Sequence, residues 1–186
     1  MATRQEQKAA TRAKILDAAA YRLREGGPDA VSVQAVMADA GLTHGAFYAH
    51  FANKETLVNA AFDHAIATNL SPWFASAKEE ADYEDYLATL AENYLSPQHR
   101  DQRGHGCALA ALASEMGTAP ASLQSRYADT LADTVDRLSR GDAANRPRAI
   151  EFLATVTGAL NLARNTTDRT LSDEILAINR SLFRRT

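Results

Sequence analysis

The sequence predicts an all-α protein of about nine helices, and three observations carry that expectation. Apolar residues recur at spacings of three and four almost from end to end, helix caps and stops separate those stretches, and no useful length alternates with period two. Ile15, Leu16, Ala19 and Leu23 form the first stripe. Gly26-Gly27-Pro28 ends it, since glycine suits the left-handed C-terminal position and proline cannot continue a helix. Ser32 can cap a short second helix, VQAVMADA, that stops at Gly41; Thr43 can cap a third, HGAFYAHF. Asn53 can cap a fourth, in which Leu57, Val58, Ala61, Phe62, Ala65 and Ile66 repeat as i, i+4 pairs.

Further on the joints are looser. Pro72 is expected to interrupt the chain near Trp73 and Phe74. Tyr83, Tyr86, Leu87, Leu90 and Tyr94 line a helix that stops before Ser96-Pro97, and the polar stretch SPQHRDQRGHG reads as a loop. Cys107 to Met116 is an alanine-dense helix. Leu123, Tyr127, Leu131, Val135 and Leu138 mark another, closed by Arg140-Gly141-Asp142. Asn145 and Pro147 start the next, with Ile150, Leu153, Val156, Thr157 and Leu160, and a last helix runs from about Ser172 to Phe183.

Composition narrows the classes. Of 186 residues 46% are hydrophobic and 23% charged, an ordinary globular balance in a chain long enough to bury a core without staples. A single cysteine, Cys107, allows no disulfide within the chain and fits a reducing cytoplasm. The longest runs free of Asp, Glu, Lys and Arg are 14 residues, at 40–53 and 64–77. A membrane span needs about 20 apolar residues, so no membrane partner is expected. The N-terminus, MATRQEQKAATRAKIL, is charged where a secretion leader would be apolar.

The net charge of −3 conceals a dipolar arrangement. Residues 1–24 carry six basic side chains against two acidic ones, net +4, whereas the other 162 carry 14 against 21, net −7. A basic end on an acidic body suggests that one end meets a polyanion. The short–turn–short helix pair at 32–51 suits that end, because two such helices crossing steeply can set the second into a DNA major groove. Thr43, His44, Ala46 and Phe47, followed by Tyr48 and His50, would then lie near the groove-facing N-terminal half.

The string VSVQAVMADAGLTHGAFYAHFANKETL, with ILDAA before it, resembles the DNA-binding segment of the tetracycline-repressor (TetR/AcrR) family of transcriptional regulators. The resemblance covers about residues 9–69, with the helix-turn-helix at about 32–51, and leaves 70–186 as an effector-binding and dimerising region. It implies that Ser32 and Thr43 contact phosphates, that His44, Ala46, Ala49 and His50 face the groove, that Tyr48 reaches the backbone, and that Lys54 binds phosphate. Arg4, Lys8, Arg12 and Lys14 would add phosphate or minor-groove contacts. His44 stands where the family often has Lys, and Ala49 where a larger residue is common. Tyr48 reads equally as a packing residue, Lys54 as a solvated helix-start lysine, and Phe47, Phe51 and Ala38 as core of the small bundle. Gly45 allows close approach, either to DNA or to a partner helix.

The resemblance further implies a repressor that leaves a palindromic duplex operator when a small apolar or aromatic effector enters the body. Candidate pocket residues are Trp73, Phe74, Tyr86, Tyr94, Cys107, Met116, Tyr127 and Phe152, with plain core packing the leading alternative for each. A homodimer is expected from the last two helices. Leu171, Ile175, Ile178 and Leu182, with Phe183 beside them, and Ile150, Leu153, Thr157 and Leu160 recur at shallow-packing spacings. No cofactor or metal is expected, since His99, His105 and Cys107 lack any standard ligand spacing. An enzyme and a helical interaction module are the other classes, but no nucleophile elbow, zinc helix or P-loop supports the first.

Overall fold

A computed structural model describes residues 3–80 and 82–184. Among the described residues are nine α-helices, joined by five 3-10 turns, and no strand. The helices are α1 Arg4–Gly26, α2 Val33–Asp39, α3 Lys54–Ala75, α4 Tyr83–Tyr94, α5 Pro97–Asp101, α6 Ala108–Leu112, α7 Ala121–Leu138, α8 Arg146–Asn165 and α9 Arg169–Ser181. No helix among them is long and apolar enough to cross a membrane.

α1 opens earlier than its apolar stripe because Thr3 and Glu6 form a reciprocal capping box, Thr3 Oγ1 accepting from the Glu6 N–H and Glu6 accepting from the Thr3 N–H. Its basic residues therefore stand on a helix and not on a loose arm. Its second half buries Ile15, Leu16, Ala19, Ala20 and Leu23 against α2 and α3. Ser32 accepts from the Ala35 N–H to cap α2. Gly41, at φ +69°, then turns the chain, and the Leu42 N–H returns to the Met37 carbonyl at 2.9 Å, the closure that only a left-handed residue permits. Val36, Met37, Phe47 and Phe51 complete this small core, while Ala38 is exposed.

Four joints differ from expectation. α3 continues through Pro72 to Ala75. Proline forfeits one backbone bond near the helix end, and the burial of Trp73 and Phe74 there outweighs that loss. The stretch from Ser96 holds α5, capped by Ser96 with Pro97 in the first turn, and a 3-10 turn at Arg103–His105. The helix after Cys107 is only Ala108–Leu112 before it tightens into a 3-10 turn. α9 begins at Arg169 because Asp168 accepts from the Thr170 and Leu171 N–H groups.

The body packs α4, α6 and α7 around α8, with α9 laid along α8. A reciprocal joint ties α1 to it. Arg24 donates through Nε to the Gly104 carbonyl at 2.6 Å, and Arg103 donates through Nε to the Arg24 carbonyl at 2.9 Å. Gly104 is required there, since a Cβ would lie 2.3 Å from the Tyr21 ring.

Candidate nucleic-acid interface

The head presents one face built from α1, the recognition turn and the start of α3. The residues expected to form a third α-helix are instead a 3-10 turn, His44–Ala49. Three features favour the tighter turn: Gly45 in its first turn, only six residues of length, and no side-chain cap, since Thr43 is extended but its hydroxyl accepts no backbone bond. The uncapped start leaves the Thr43 hydroxyl and the first N–H groups open to an incoming acceptor. A Cβ at Gly45 would meet nothing within 4 Å, so no partner helix crowds that position and it faces open space.

Phe47 and Phe51 stack inward at 5.9 Å between centroids and fix the turn to the core. Tyr48 touches the outer side of this pair, edge-on to Phe47 at 5.2 Å and to His44 at 6.2 Å, and remains 68% exposed. Thr43, His44, Tyr48, Ala49, Ser32 and Lys54 are all exposed. Lys54 opens α3, which Asn53 caps through the Thr56 N–H at 2.8 Å. Ala46 departs from the expected groove-facing set, because it packs partly against the core.

His50 is half-buried, and its Nδ1 is buried with no hydrogen-bond partner. Burial first, then the cations of Lys8 and Arg12, lower its pKa from the usual 6.5. That places Lys8 and Arg12 beside the recognition turn, and the Arg12 guanidinium lies 4.9 Å over the Phe51 ring. Arg4, Lys8 and Arg12 recur every four residues and form one exposed row on α1, with Lys14 also exposed. The face is thus an exposed aromatic and hydroxyl surface flanked by cations, which is the chemistry a phosphate backbone with base edges requires.

Residues 15–61 match the sequence family described as bacterial regulatory proteins, tetR family. Residues 15–61 are a tetR-family segment. No curated protein sequence is significantly similar to it. Among solved structures, the fold resembles a TetR-family transcriptional regulator from Cytophaga hutchinsonii, with 22% identity and a TM-score of 0.79 over 95% of this chain and 94% of that one. A TetR-family regulator from Agrobacterium tumefaciens shares 23% identity with a TM-score of 0.78, over 95% and 97%. The Bacillus subtilis regulator FadR, in complex with stearoyl-CoA, shares 19% identity with a TM-score of 0.64, over 91% and 97%. The likeness of fold therefore extends through the body, well past residues 15–61.

The body distributes the expected pocket residues among separate places. Trp73 and Tyr94 wall a polar crevice of about 280 Å³ beside Asn69 and Gln98, and Phe74 and Tyr86 border another of about 370 Å³ with Arg137 and Arg140. Cys107 and Phe152 are core, and Met116 is half-buried against it. These aromatics fill space by stacking on one another: Trp73 lies 5.0 Å from Tyr94 and 6.3 Å from Phe152, and Phe152 lies 4.8 Å from Phe183. Tyr127 alone reaches a markedly apolar groove, about 510 Å³, between α7 and α8, where it meets Leu131, Val135, Ile150 and Leu153. The Tyr127 hydroxyl, pushed up to about 12 by burial, donates to the Leu109 carbonyl. The i, i+4 series Tyr127, Leu131 and Val135 is the legible signal for this groove.

The proposed dimer residues also divide. Ile150, Leu171, Ile178 and Leu182 are exposed, and Thr157 and Ile175 half-exposed. Leu153, Leu160 and Phe183 turn into their own body, because the core-facing side of each helix has apolar residues at the same spacing. Leu162, 65% exposed, lies outside the expected set, although Ile150, Ala154, Gly158 and Leu162 recur every four residues. His99 has no nitrogen free for a metal: Nδ1 donates to the Tyr94 carbonyl at 2.7 Å, and Nε2 accepts from the Cys107 N–H at 3.0 Å.

Proposed function

We propose that the protein is a homodimeric transcriptional repressor that binds a palindromic duplex operator and leaves it when a small apolar effector occupies the body. The observation that carries this reading is the recognition turn, where Tyr48 is exposed and Thr43 uncapped beside the Lys8–Arg12 row. In this reading Thr43, Tyr48, Ser32 and Lys54 hold phosphates, while His44 and Ala49 meet base edges and His50 supports the turn. DNA binding would place the protein in the cytoplasm.

One head makes too few base contacts for useful specificity, and a two-fold pair reads two half-sites. The apolar stripes of α8 and α9, exposed among the described residues, are the natural dimer surface, forming a four-helix bundle with their copies. The apolar groove between α7 and α8 favours an apolar effector, and the stearoyl-CoA held by the similar FadR supports a ligand-binding body. Operator and effector would each weaken the other's binding by the same factor.

Footprinting on the DNA flanking the gene tests this reading. Protection of two half-sites about one helical turn apart is expected, with affinity falling steeply as salt rises. Affinity that is flat with salt would overturn it.

A further inference from the structure

A crevice of about 250 Å³ separates the end of α8 and the start of α9 from the α5 segment, and four arginines line it: Arg100, Arg103, Arg164 and Arg169. Two of them are neutralised. Arg100 pairs with Asp101 and Asp173, and Arg169 pairs with Asp101 at 2.6 Å. Among the described residues, Arg103 and Arg164 have carbonyl partners only. Arg103 donates to Arg24 and Ala111, and Arg164 donates through Nη2 to His99 at 2.6 Å and through Nε to Arg100 at 3.2 Å. Glu25 also acts on Arg164 electrostatically. Four cations against Asp101, Asp173 and the electrostatic influence of Glu25 leave an excess of positive charge in a small volume.

Such an arrangement is costly as it stands. Arg164 Nη1 is buried with no partner at all, and burial pushes the whole guanidinium below its usual pKa. Buried charges are ordinarily paired, and a carbonyl satisfies a donor without neutralising it. The fold nevertheless makes room for this group: a Cβ at Gly106 would lie 2.6 Å from Arg164 Nη2. Thr166 and Thr167 add hydroxyls to the lining. Two guanidiniums from different elements, plus hydroxyls, call for an acceptor with three or more oxygens, which a phosphate presents and a carboxylate does not.

We propose that this crevice binds the phosphate group of a small molecule, with Arg103 and Arg164 as the recognising pair. The volume exceeds that of a phosphate, so either inorganic phosphate or a small phosphoester fits the chemistry. The site also has a route to the head, because Arg103 holds the Arg24 carbonyl at the end of α1. A ligand drawing on Arg103 would bias the α1 joint, and that regulatory consequence rests on the proposed DNA-binding function. The binding itself does not.

The test is thermal melting and ³¹P line width of the full chain with inorganic phosphate, glycerol phosphate or citrate, at ionic strength held constant with sodium chloride. A rise of about 4 °C at ten times Kd is expected for wild type. Arg103→Gln should abolish it, and Arg103→Lys, which keeps the charge and loses the planar fork, should lose most of it. Arg126→Gln, a surface pair with Asp63 elsewhere, should keep it. The better of the two phosphates identifies the source. No rise beyond that in chloride, an equal rise in folded Arg103→Gln, or a larger rise with citrate would each overturn the site. Operator affinity unchanged by a phosphate that does raise the melting point would overturn only the link to the head.

Discussion

The head and the body meet water in opposite ways. Around the recognition turn the exposed side chains are hydroxyl, phenol, imidazole and amine, over a small core closed by Phe47 and Phe51. Along α8 and α9 the exposed side chains include the large apolar Ile150, Leu162, Leu171 and Ile178, with Leu182 just past α9, on helices whose other faces are already buried. An apolar stripe left over after the core is filled has lost nothing by folding; it gains only by meeting a second surface. A polar, cationic face gains little from burial and much from phosphate. One chain thus exposes two faces of different chemistry, and changes to each have different expected consequences.

The largest effect is expected in the body. Ile178→Glu places a charge on the apolar stripe at a position already 54% exposed, so the monomer should fold. Desolvating that charge in a dimer seam costs several kcal/mol, and operator affinity should fall about 1,000-fold with sedimentation as a monomer. A dimer persisting at micromolar concentration breaks the comparison from the body side.

Next in size is Tyr48→Ala with Lys54→Ala. Two backbone contacts at about 1–2 kcal/mol each predict a loss near 100-fold in a shift assay at moderate salt, with the melting temperature moving by less than about 2 °C. Unchanged affinity would remove the head's face from DNA altogether.

The third concerns His99, which belongs to the body alone. Burial is the main cause that pushes its pKa down from 6.5 to about 4. Its tautomer is fixed as neutral, with Nδ1 donating and Nε2 accepting. Because the folded value lies below the unfolded one, the unfolded chain binds more protons between them. The stabilisation is present above pH 6.5 and is lost as the pH falls toward 4, about 3 kcal/mol in all. Urea titrations at pH 7, 5.5 and 4 should show that decline, and His99→Gln should flatten it. An equal slope in the variant would refute the assignment.

The smallest sharpens the head. Ser32 both caps α2 through the Ala35 N–H and is expected at a phosphate. Ser32→Ala should cost about 1 kcal/mol of stability from the cap. Any loss of operator affinity beyond a few-fold then measures the phosphate contact.

Local rules are sufficient where the determining residues are neighbours in sequence. The stripe of α1, the Gly41 turn and the caps at Ser32 and Asn53 all follow from residue type and spacing. The tetR-family head is legible for the same reason, since its motifs lie at fixed spacing within 47 residues. Tertiary packing decided the rest. Pro72 stays inside α3 because Trp73 and Phe74 find a core, and Ala46 turns inward because the 3-10 winding of its turn rotates side chains relative to an α-helix. Periodicity marks which residues are apolar but not which of two faces a neighbour covers; hence Leu153 and Leu160 are core while Ile150 and Leu162 face water. Aromatics expected in one pocket stack into a core instead, and Arg24, Arg103 and Arg164 converge from segments up to 140 residues apart. Sequence dictates which side chains must be buried or solvated; only the closed fold decides against what, because that depends on distances no local pattern encodes.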